Sequence, residues 1–205
     1  MTLHACLLNC SLKRSTEPSS TQRLLEEVGA ELRDHGVEVR PTLHLADLDI
    51  RPGVTSDEGD GDAWPEIRRA ILDSEILVMG SPVWMGQPSS VAKRALERMD
   101  AFLSETDDEG RMPSYGQVAI VAVVGNEDGA HHVSAELYQA LSDVGFTLAP
   151  NAVTYWVGEA MQSTDYKDLS ETPEQTAGTT ATAVRNSVHL ASFLQASPFP
   201  GVPSP

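Results

Sequence analysis

Residues 11–21 read Ser-Leu-Lys-Arg-Ser-Thr-Glu-Pro-Ser-Ser-Thr, six hydroxyls and two cations set between an apolar run and a stretch of helical period. Hydroxyls and free backbone N–H groups at a helix N-terminus suit an anion, and the helix dipole adds to the attraction. An N-cap needs one hydroxyl; this stretch offers Ser11, Ser15, Thr16, Ser19, Ser20 and Thr21, with charge from Lys13 and Arg14. It fits neither G-x-G-x-x-G nor G-x-x-x-x-G-K-[ST], so dinucleotide binding and nucleoside triphosphate hydrolysis lack their usual signal. A loop without glycine wraps a pyrophosphate poorly, and a terminal monophosphate is the better fit.

Two further stretches carry chemistry. "GSPVWMGQPSS" (80–90) holds Val83, Trp84 and Met85 between Pro82 and Pro88. An exposed aromatic and thioether surface of this kind suits a flat aromatic ligand, or else core or subunit packing. "VVGNEDGAHH" (123–132) has Gly125 and Gly129 for tight turning and close backbone approach, with Asn126 tolerant of unusual dihedrals and Asp128 placed to cap a helix. His131 and His132 point in different directions from a first helical turn, and no Cys or carboxylate cluster joins them, so no metal site is expected.

The elements that position these stretches follow from hydrophobic period. Short apolar runs at Ala5–Asn9, Val37–Leu43, Ile76–Gly80, Gln117–Val124 and Ala152–Val157 predict five strands. Helical patterns at Thr21–Arg33, Trp64–Leu72, Ser89–Leu103, Ala130–Val144 and about Pro173–Leu194 lie between and after them. Continuous apolar runs belong to strands buried on both faces, which calls for helices on both sides of a parallel sheet. Right-handed crossovers then give a doubly wound α/β sandwich of three layers. In such a sheet ligands bind beyond the carboxyl ends of the strands, where the strand order reverses. The three stretches follow the first, third and fourth strands. They should meet at one edge.

Composition bounds the rest. A chain of 205 residues with 40% hydrophobic and 21% charged residues reads as one domain, residues 1–195, followed by a Pro-rich tail, 196–205, expected to be extended or disordered. A net charge of −16 opposes nucleic-acid binding. Cys6 and Cys10 sit four apart on one strand, more than about 10 Å from each other, too far for a disulfide. Two unpaired thiols and the lack of a cationic region before the first apolar stretch point to a cytoplasmic location without a secretory signal. The longest strongly apolar run, Val118–Val124, is too short to cross a bilayer, so no membrane insertion is expected.

Taken together, the hydroxyl-rich loop, "SPVWMGQPS" (81–89) and "GNEDG" (125–129) resemble the flavodoxin-like NAD(P)H-dependent FMN reductases and quinone reductases, over about residues 3–194. The resemblance implies a flavodoxin-like sheet of order 2-1-3-4-5 and an FMN cofactor, with NADPH or NADH as hydride donor and a small-molecule electron acceptor. It places the phosphate on Ser11, Lys13, Ser19, Ser20 and Thr21, and the isoalloxazine ring against Pro82, Val83, Trp84, Met85 and Gly86 and against Gly125, Asn126, Glu127 and Gly129. It also implies a homodimer or homotetramer with the flavin near a subunit boundary. No side chain is expected to act as obligatory acid or base, because the cofactor carries the chemistry. One departure stands out: family loops often have a glycine where this chain has Cys10.

Three other readings compete. A low-molecular-weight tyrosine phosphatase needs five residues between its Cys and Arg, and only three separate Cys10 from Arg14. A receiver domain needs acids where this chain has Asn9-Cys10 and Gly80-Ser81. A flavodoxin-type electron carrier shares the acidity and the FMN, but usually has a T-G-x-T-like loop.

Overall fold

Successive strand residues point to opposite faces, and that alternation builds two cores here. Cys6, Leu8, Leu77, Met79, Ala119, Val121 and Val123 face one side, under α2 (Trp64–Leu72), α3 (Ser90–Met99) and α4 (Ala130–Asp143). Ala5, Leu7, Ile76, Val78, Val118, Ile120, Ala122 and Val124 face the other, under α1 (Ser20–Asp34) and α5 (Glu174–Ala196). The computed structural model describes residues 2–159 and 162–201. Positions 160 and 161 of the 158–172 segment and 202–205 of the Pro-rich tail lie outside the described residues.

The strands are β1 (His4–Asn9), β2 (Glu38–Val39), β3 (Leu43–His44), β4 (Ile76–Trp84), β5 (Gln87–Pro88), β6 (Val118–Gly125) and β7 (Thr147–Val157). The main path runs β2-β1-β4-β6-β7 and is parallel throughout. This is the doubly wound flavodoxin-like sheet, with the order 2-1-3-4-5 matched once two small strands are set aside. Among the described residues, the count of five needs correction to seven. The expected second strand divides into β2 and β3, both paired with β1, because Pro41 has no N–H to give the ladder. The other addition, β5, folds back antiparallel on β4.

β7 begins five residues before the expected Ala152 and carries an irregularity opposite Ala119–Val121. Pro150 and Asn151, at φ 57°, lie in that irregularity, tolerable because β7 is an edge strand. Three helix starts follow the sequence, whereas α4 begins on Gly129 without a side-chain cap, not capped by Asp128 as expected. Ser19 caps α1 and Ser89 caps α3 through their hydroxyls, while Pro65 occupies the first turn of α2.

The acidic segment 51–63 is tied down by an ion pair. Arg98 and Asp62 are both fully buried and lie 2.7 Å apart. Asp62 also accepts from the backbone N–H groups of Arg51, Glu58 and Trp64, and Arg98 also donates to the carbonyls of Arg51 and Thr55. Burial pushes the Asp62 carboxyl up, but the Arg98 guanidinium and the three N–H groups outweigh it and hold the carboxyl well below the usual range. A depressed folded-state pKa stabilises the fold above the unfolded value of about 4, and that stabilisation drains away as pH falls below it. Asp62→Ala leaves a buried guanidinium without its partner and should cost about 3–5 kcal/mol by urea unfolding at pH 7. The difference between variant and wild type should shrink towards pH 3.

Candidate functional site

Registration of the parallel strands decides what meets at the edge. Asn9 on β1 pairs with Gly80 on β4, which pairs with Ala122 on β6. The chain leaving β1 therefore emerges beside the ends of β4 and β6. They enclose a cavity of about 290 Å³ lined by Ser11, Leu12, Lys13, Ser19, Ser20, Thr21, Pro82, Val83, Trp84, Val124, Gly125, Asn126, Glu127 and Asp165. Of the residues expected from the sequence, Met85, Gly86 and Gly129 do not line it. Arg14 does not line it either.

One end of the cavity is the turn into α1. The buried side chain of Asn9 starts that turn, with its Oδ1 accepting from the Ser11 N–H at 2.9 Å and its Nδ2 donating to Gln22. Ser11, Ser19 and Thr21 are buried. The Ser19 hydroxyl meets the Gln22 N–H at 3.4 Å, a long cap, and Lys13 Nζ reaches the Pro18 carbonyl at 3.0 Å. Hydroxyls, the first turn of a fifteen-residue helix and an ammonium thus share one small volume.

The other end is apolar. The 80–90 stretch is not an irregular loop: β4 runs on to Trp84 and turns through Met85 and Gly86 into β5. Both turn residues have positive φ, 50° and 74°, as a two-residue hairpin turn with the right-handed twist requires. Gly86 adopts this freely, whereas Met85 does so under strain and 88% exposed, its N–H held by Glu127 Oε1 at 2.7 Å. Pro82 and Pro88 concealed the hairpin, because proline in a run argues against a strand.

Gly125 and Gly129 permit a close approach, as expected, but the partner is this hairpin. A Cβ on Gly125 would lie 2.8 Å from the Val83 side chain, and one on Gly129, at φ 133°, 2.7 Å from Gly86 Cα. The two glycines let the hairpin press against the turn after β6, which leaves Val83 and Trp84 facing the cavity.

Leu12, Val124 and Asp165 escaped sequence reasoning. Leu12 and Val124 flank residues that were singled out, whereas Asp165 sits in a segment without any motif. Its carboxylate accepts from Asn126 Nδ2 at 2.6 Å and meets Lys167 Nζ at 3.0 Å, and these two donors hold it below the ordinary range and ionised. Tyr166 anchors the segment. It is buried, donates to Glu27, and has the Arg23 guanidinium over its ring at 4.9 Å.

His131 and His132 diverge, the first to the Tyr155 hydroxyl at 3.2 Å and the second to Gln87 and Glu136. Among the described residues no cluster of three His, Cys, Asp or Glu could hold a metal ion, and no helix is long and apolar enough to cross a membrane.

The donor set fits the cofactor that the resemblance implies. Hydroxyls, Lys13 and the α1 N-terminus match a phosphate; Leu12, Pro82, Val83 and Trp84 match the face of a flat ring. The chain belongs to the NADPH-dependent FMN reductase family, whose pattern it matches over residues 4–162. Membership implies FMN as the cofactor. Among curated relatives, it is 38% identical over 201 residues to the divalent metal cation transporter MntH of Mycobacterium bovis, covering 95% of this chain and 29% of that protein. It is 31% identical over 209 residues to 8-demethyl-8-aminoriboflavin-5'-phosphate synthase of Streptomyces davaonensis, covering 97% and 81%. The crystal structure of RosB with bound 8-demethyl-8-formylriboflavin-5'-phosphate superposes with a TM-score of 0.86 at 31% identity, covering 97% and 82%. The chain thus spans less than a third of the transporter and most of the synthase.

Cys10 stands where a phosphatase nucleophile would, yet it is fully buried, and burial alone pushes its thiol far up. Cys6 is buried too and pushed up to about 12. Neither supplies a thiolate. Native protein at pH 8 should leave both thiols unreacted with Ellman's reagent over minutes, and guanidinium should release two equivalents. Rapid modification of one native thiol would contradict the burial.

Proposed function

We propose that this protein is an FMN-dependent oxidoreductase that takes hydride from NADPH or NADH and reduces a small-molecule acceptor such as free flavin or a quinone. The observation that carries the reading is the single cavity joining a hydroxyl-rich helix start to an apolar wall at the sheet edge. FMN, when bound, supplies the hydride-accepting ring. The chain's own residues bind and orient: Ser11, Ser19, Ser20, Thr21 and Lys13 hold the phosphate, and Pro82, Val83, Trp84 and the 125–127 turn flank the ring. Trp84 and Leu12, each 51% exposed, become covered and exclude water from one ring face. Two buried thiols support a reducing, cytoplasmic setting.

The same reading makes the protein a homodimer or homotetramer. A groove of about 1080 Å³ between α4, β7 and α5 has, among the described residues, no Asp, Glu, Lys or Arg in its lining, although 21% of the chain is charged. A face without charge is where copies of a chain at −16 can touch without repulsion. Light scattering should give two or four times the 22.1 kDa chain mass, and a monomer at micromolar concentration would contradict it.

A second reading rests on the Streptomyces relative, which by its name makes a modified flavin phosphate. On that reading a flavin phosphate is this chain's substrate rather than its resident cofactor, in the same cavity. Purified protein should be yellow, or become so with added FMN, and should oxidise NADPH or NADH steadily with a quinone or ferricyanide. Flavin recovered with an altered mass would favour the second reading; bound flavin without nicotinamide turnover would favour an electron carrier. Thr21→Glu sets a carboxylate against the phosphate and should abolish FMN binding. Unchanged affinity would remove the phosphate assignment.

A further inference from the structure

Two carboxylates line the cavity, and they are not equivalent. Glu127 spends its Oε1 on the Met85 N–H and belongs to the packing of the hairpin. Asp165 is ionised and held from both sides, Oδ1 by Asn126 Nδ2 at 2.6 Å and Oδ2 by Lys167 Nζ at 3.0 Å. A carboxylate has about four acceptor sites, so two partners leave Asp165, which lines the cavity, with acceptor capacity to spare.

The two donors also fix where along the cavity the carboxylate lies. Asn126 belongs to the turn after β6, at the apolar end. The Lys167 N–H donates to Ser20 Oγ at 3.2 Å, at the start of α1. Asp165 therefore stands between the ring end and the phosphate end. A phosphate directly beside it would meet like-charge repulsion. A bare apolar ring would leave its open acceptor sites desolvated and unpaired. The ligand portion that suits an ionised acceptor here is uncharged and rich in O–H donors.

We propose that the Asp165 carboxylate accepts hydrogen bonds from the hydroxyls of the polyol that joins phosphate to ring, and so selects a ribityl phosphate flavin over one with a plain alkyl linker. This rests on the FMN reading. Asp165 lies beyond residue 162, where the family match ends.

The test crosses two ligands with three proteins. FMN and an N10-(5-phosphopentyl) flavin, which lacks the ribityl hydroxyls, are titrated by flavin fluorescence into wild type, Asp165→Ala and Asp165→Asn. Hydrogen bonds to a charged group contribute enough that wild type should favour FMN by about tenfold or more. Asp165→Ala should lose about tenfold on FMN and little on the alkyl flavin, closing the gap. Asp165→Asn, which preserves shape, should lose less but on FMN alone. Equal losses for both flavins would make Asp165 a fastener of the 158–172 segment and overturn the proposal, as would no loss for either. Wild type binding neither flavin would overturn the flavin reading itself, and the selection with it.

Discussion

Backbone satisfaction in the three central strands is the constraint on which the site depends. β1, β4 and β6 are buried on both faces, so their N–H and C=O groups depend on the neighbouring strands for partners. Parallel pairing brings Asn9, Gly80 and Ala122 abreast. Whatever follows those residues must leave at one edge. The hydroxyl loop, the hairpin and the glycine turn are neighbours in space for that reason, although more than a hundred residues separate the first from the last.

Closeness at the edge then depends on atoms that are absent. Gly125 and Gly129 lack the Cβ atoms that would strike Val83 and Gly86, so the hairpin lies down on the turn and turns its apolar side chains to the cavity. On the opposite wall, Asn9 shapes the turn into α1 through the Ser11 N–H. The binding surface is therefore made largely by backbone geometry, with side chains supplying hydroxyls, one ammonium and an aromatic face. That division agrees with a family in which the cofactor carries the chemistry.

Period and composition made the layers legible. Continuous apolar runs identified the central strands, and the stripe of Leu24, Leu25, Val28 and Leu32 identified α1, all four of them buried. What escaped was local or long-range. Pro41 split a strand that hydrophobicity alone draws as continuous, and Pro82 and Pro88 disguised a hairpin whose turn puts a methionine at φ 50°. The Arg98–Asp62 pair joins a helix to a loop 36 positions earlier, and charge counting cannot tell a buried pair from two solvated ions. Asp165 had no motif at all; its place is set by the buried Tyr166 next to it in sequence, by Asn126 and by the lysine two residues on.

The account's central claim is that one flavin phosphate spans this cavity from the α1 turn to the hairpin. A crystal structure of the protein with FMN tests it most directly. The phosphate should lie within hydrogen-bonding distance of hydroxyls and N–H groups in residues 11–21, with the ring between 82–84 and 125–127 and the ribityl chain passing Asp165. Flavin seated in the groove beside β7, or a phosphate away from the start of α1, would contradict it.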